Sequence, residues 1–90
     1  MSLGVGTLVV SVSGRDDGRV LAVVGSNETH LFLADGRKRR IEKPKQKKIK
    51  HIRVLGLRLT DDECEKLEKN ELTNKMLYNG IRQSIEKQTV

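Results

Sequence analysis

Ninety residues suffice for one compact domain with a small core and are too few for two independent ones. The formal net charge is +6, and almost all of the excess lies between Arg37 and Arg58, while the chain from Leu59 onward is slightly acidic. One cysteine, Cys64, excludes an intramolecular disulfide and a multi-thiol metal cluster, and no apolar run approaches the roughly 20 residues that span a bilayer.

Thr7 to Val12 alternates, with Leu8, Val10 and Val12 on one side and Thr7, Val9 and Ser11 on the other, which predicts a half-buried first strand. Ser13 to Gly18 is turn chemistry, because its two glycines reach positive φ freely and Asp16 and Asp17 bond their own backbone. Valine-rich Arg19 to Val24 then returns as a second strand, broken at Gly25-Ser26-Asn27, and His30 to Ala34 forms a third. Asp35-Gly36 is the strongest two-residue hairpin signal in the chain and predicts a fourth strand from about Arg37 to Ile41.

Residues 42–50 contain the only proline, Pro44, and one large apolar side chain, Ile49, and so read as a basic loop. His51 to Leu59 resumes alternation but slips phase between Val54 and Leu55, which predicts a bulge or a strand end near Gly56. Thr60-Asp61-Asp62-Glu63 has the spacing of a capping box and opens a short helix striped by Cys64 and Leu67, with Asn70 as its stop. A second helix, capped by Thr73 or Asn74, carries Leu77, Ile81 and Ile85 on one face. The expected fold is mainly β, a small five-stranded barrel over residues 1–59 that includes the basic loop 42–50, followed by a helical appendage over 60–90.

The strongest chemical feature is cationic. Ten basic side chains fall between Arg37 and Arg53 against one acid, Glu42. Like charge at that density costs self-repulsion unless a polyanion neutralises it, and a flexible run of this kind can follow a phosphate backbone. The candidate contacts there are Arg37, Lys38, Arg39, Arg40, Lys43, Lys45, Lys47, Lys48, Lys50 and Arg53, with Lys38 and Arg40 on one face of the fourth strand and Arg39 and Ile41 on the other.

The first hairpin, Gly6-Thr7-Leu8-Val9-Val10-Ser11-Val12-Ser13-Gly14-Arg15-Asp16-Asp17-Gly18-Arg19-Val20, resembles a KOW motif. Continued through Leu31 to Gly36, it is similar to a KOW-bearing family of archaeal and eukaryotic large-subunit ribosomal proteins and their short bacterial relatives. The resemblance implies an SH3-like barrel of KOW type and an RNA-facing loop containing Gly14, Arg15, Gly18 and Arg19. Arg15 and Arg19 would point outward while the two aspartates turn inward.

Only Phe32 and Tyr78 are aromatic, with Phe32 expected in the core, so stacking on exposed rings is a poor option and phosphate and shape recognition of folded RNA is the better one. His30 and His51 stand alone in sequence, and Asp61, Asp62 and Glu63 complement a helix start, so neither catalysis nor a metal site is expected. The sequence therefore points to a cytoplasmic RNA-binding protein without cofactor, membrane partner or small-molecule substrate, whose partners are RNA, ribosomal RNA first, and ribosomal proteins. The rival reading is an SH3-like protein-interaction adaptor in the translation or transcription machinery, since fold alone does not separate the two.

Overall fold

The computed structural model describes residues 3–14 and 18–87. Five antiparallel strands, β1 (Thr7–Ser11), β2 (Val20–Ser26), β3 (Leu31–Ala34), β4 (Lys45–Lys47) and β5 (Ile52–Arg58), form one sheet in the order β4-β3-β2-β1-β5. A single 3-10 turn, Ile49–His51, joins β4 to β5, and helices α1 (Asp61–Glu68) and α2 (Asn74–Glu86) follow. No helix among the described residues is long and apolar enough to cross a membrane.

Both faces of the sheet are buried, which simple alternation in β1 does not foretell. Leu8 and Val9 are neighbours with no exposed surface, and they serve different clusters. Leu8, Ala22 and Ala34 face Leu59, Cys64, Leu67, Leu72, Leu77 and Ile81 on the helical side. The helices thus share a core with the sheet. Val9, Leu21, Val23, Leu31 and Leu33 fill the opposite face, flanked by Leu3 and Ile52. No described helix covers that side, so the strands must bend around it to keep it dry.

Two irregularities supply bend. Thr7 pairs with Arg58 and Val9 with Val54, so two steps along β1 oppose four along β5, and Gly56 takes φ +75° inside the resulting bulge. In β2, Val23 pairs with Leu33 and Gly25 with Phe32, so one residue is again in excess. Val12 lies beyond the end of β1 and is 44% exposed, contrary to its expected place beside Leu8 and Val10.

The fourth strand is not where Asp35-Gly36 predicts it. Instead of entering a two-residue turn, the Asp35 carboxylate accepts from the amides of Arg37 (2.8 Å) and Arg39 (2.9 Å). The amides of Asp35 and Gly36 both donate to the Arg39 carbonyl, at 2.8 and 3.0 Å. An aspartate that bonds its own downstream backbone outcompetes the hairpin geometry. Residues 37–41 are therefore a loop, and the strand forms within the stretch expected to be loop: Lys45, Gln46 and Lys47 pair with Leu33, Phe32 and Leu31. Pro44, without an amide to donate, stands just before it.

The helices follow their local signals. Thr60 Oγ1 accepts from the Glu63 amide at 3.2 Å and Glu63 Oε1 accepts from the Thr60 amide at 2.9 Å, completing the capping box. Asn70 ends the first helix at φ +59°, with Glu71 donating to the Lys66 carbonyl (2.7 Å) and Asn70 to that of Leu67 (3.2 Å), a Schellman motif. Thr73 caps the second through the Met76 amide at 3.1 Å.

Candidate nucleic-acid interface

Asn74 of α2 pins the loop between β3 and β4 at two adjacent residues. Asn74 accepts from the Ile41 amide through Oδ1 (2.8 Å) and donates through Nδ2 to Glu42 Oε1 (2.7 Å). Glu42 also accepts from Arg40 Nε at 2.8 Å. These two hydrogen bonds, Arg40 first and Asn74 second, hold the Glu42 carboxyl at a pKa of about 2, below its usual 4.5. Gly36 makes the approach possible, because it has φ +83° and a Cβ there would fall on the Asn74 carbonyl oxygen.

With the loop fixed, Lys38, Arg39, Arg40, Lys43 and Lys45 line one cleft of about 510 Å³ together with Pro44 and Gln46. No carboxylate lines it among the described residues. Lys38, Arg40 and Lys43 are exposed, whereas Arg39 and Lys45 are half-buried. Five of the predicted contacts thus converge, and they do so from a loop and a strand start rather than from the two faces of a strand. Convergence of this kind concentrates positive potential where phosphates can enter.

The other predicted contacts are dispersed. Lys47 is half-buried and donates to the Ser13 carbonyl at 2.8 Å, so it closes the first loop against β4. Lys48 and Lys50 are exposed around the 3-10 turn, and Arg53 is exposed on β5. Arg37 leaves the cleft for α2, where its Cζ lies 4.5 Å from the centroid of the Tyr78 ring.

The first loop has a different character. Gly14 and Gly18 are exposed with φ +75° and +81°, and Gly18 donates to the Ser11 carbonyl at 2.9 Å, drawing the loop ends together. Arg19 turns toward Asp35, 3.7 Å away, with 31% of its side chain exposed rather than pointing outward. Arg15, Asp16 and Asp17 lie outside the described residues.

Three further residues, from the C-terminal part of the chain that is slightly acidic overall, join this charged surface. Lys75 and Tyr78 border a groove of about 940 Å³ between the loop and α2, floored in part by Ile41 and Leu72. Arg82 donates to the Tyr78 hydroxyl at 3.1 Å. That bond lowers the tyrosine pKa and raises that of Arg82. The i, i+3, i+7 spacing of Lys75, Tyr78 and Arg82 was legible as one helix face.

Phe32 is half-buried and packs at the rim beside Gly25. His30 precedes β3, with Nδ1 2.7 Å from Thr29 Oγ1, and His51 ends the 3-10 turn. Among the described residues, no group of three or more histidine, cysteine, aspartate or glutamate side chains converges as a metal site. The chain matches no protein-family model and no curated protein.

Proposed function

We propose that the protein binds folded RNA, ribosomal RNA first among candidates, in the cytoplasm, and that it acts by docking rather than turnover. The observation that carries this reading is the convergence of Lys38, Arg39, Arg40, Lys43 and Lys45 on one cleft that no carboxylate lines among the described residues. Phosphates entering it meet several cations already held in place, so less loop ordering remains to be done on binding. The choice of RNA rests on the resemblance of the first hairpin to a KOW motif. We read the sheet as a small SH3-like barrel, supported by the pairing of first and last strands and by an apolar face buried without helices.

The test is salt dependence. Affinity for a structured ribosomal RNA fragment is expected to fall with salt at a log-log slope of about 0.7 to 0.9 per phosphate contact. The triple variant Lys38→Ala, Arg39→Ala, Lys43→Ala should reduce that slope by about 2 and weaken unrelated structured RNAs alike. An unchanged slope and affinity would remove the cleft from the binding surface.

A further inference from the structure

We infer that Arg37, backed by Tyr78, is a stacking platform for one unpaired base of the bound RNA strand. This rests on the RNA-binding reading and adds a base contact to it. The ring of Tyr78 is held by two arginines: Arg37 Nη1 donates to its hydroxyl at 3.3 Å and Arg82 Nη1 at 3.1 Å. With one nitrogen anchored on the hydroxyl and Cζ 4.5 Å from the centroid, the Arg37 guanidinium sits over the hydroxyl side of the ring. Arg37 is nevertheless exposed. A planar cation fixed against an aromatic ring, with surface left to solvent, is the surface on which splayed bases stack in RNA complexes.

The neighbouring charges leave that platform cationic. Asp35 is engaged by the amides of Arg37 and Arg39 and by Arg19, and Glu42 is engaged by Arg40 and Asn74. Arg82, with its Cζ 5.7 Å from the same ring and Glu86 as its neighbouring acid, adds a second cation beside the platform. Arg40 lines both the phosphate cleft and the groove bordered by Arg37 and Tyr78, so the two sites adjoin and one strand can reach both. A scarcity of aromatic side chains therefore does not preclude base contact, because the plane is presented by a guanidinium with the tyrosine as its support.

Two RNA hairpins isolate the base. They share sequence and phosphate count, and one carries a bulged adenosine where the other carries a bulged abasic nucleotide. The wild-type protein should prefer the adenosine bulge about fivefold or more in fluorescence anisotropy, in line with stacking energies measured by substitution. Arg37→Lys keeps the charge and loses the plane, so the ratio should fall to near one. Tyr78→Leu should lower the ratio as well, because Tyr78 positions the guanidinium, and Tyr78→Phe should retain more of it. Lys43→Ala should weaken both RNAs and leave the ratio unchanged. AMP in tenfold excess over RNA should leave the complex intact, and displacement by it would overturn the assignment to a strand. Binding of both hairpins with a wild-type ratio of one, or a wild-type ratio in Arg37→Lys, overturns the platform alone. Failure of both hairpins to bind overturns the platform and the RNA reading together.

Discussion

The two glycine-punctuated loops, the one between β1 and β2 and the one between β3 and β4, are built on opposite plans. The first is closed at its own neck by the Ser11, Gly18 and Arg19 backbones, with a single tie to β4 through Lys47, and an added Cβ at Gly18 meets nothing within 4 Å among the described residues. The second is fastened to another element, with Gly36 against the Asn74 carbonyl and Asn74 bonded to Ile41 and Glu42. Its cations are consequently held in a defined arrangement although the loop has no regular structure. A glycine that matches a motif and a glycine that supports a site are therefore different things in this chain.

That contrast is open to direct test, and the largest effect should come from the glycines. Gly36→Ala combines a left-handed backbone with overlap on the Asn74 carbonyl and is expected to cost about 3 kcal/mol or more of stability. Gly18→Ala meets only the backbone penalty, about 1 kcal/mol. Equal losses in denaturant unfolding would mean that the second loop is not pinned as described.

The arginine and lysine of the two loops should separate next. Arg19→Ala should lower stability by about 1 kcal/mol, a figure discounted because the ion pair with Asp35 is partly exposed. Lys43→Ala should leave the melting transition in place and reduce the salt slope of RNA binding by about 0.7. A reduced slope for Arg19→Ala would bring the first loop into the interface.

The smallest effect concerns pH. The Glu42 pKa is depressed in the fold, so its contribution is complete above the unfolded value near 4.5 and is lost as pH falls through about 2. Carbon-13 titration of the carboxyl should give a midpoint near 2, moving toward 4.5 in Asn74→Ala. A wild-type midpoint near 4.5 would mean that the Arg40 and Asn74 bonds do not persist in solution.

Signals carried by neighbouring residues were legible in the sequence. The capping box at Thr60 and Glu63, the Asn70 stop, the Thr73 cap and the Gly56 bulge all depend on backbone and side-chain groups a few positions apart. The cationic character of residues 37–50 was equally plain, because charge needs no fold to be counted. What failed was the competition at Asp35, where the same aspartate suits a two-residue hairpin or a wider turn closed by its carboxylate.

Only the tertiary structure resolved that competition, by placing Asn74, far along the chain, beside Ile41 and Glu42. It likewise brought Tyr78 and Arg82 of the C-terminal helix to Arg37, and it buried both faces of a sheet whose alternation suggested one. Sequence by itself determined which residues are cationic, where the helices begin and where the chain is able to turn, since these are local properties. Which cations share a cleft was decided by contacts between residues more than thirty positions apart, whose partners no local pattern records.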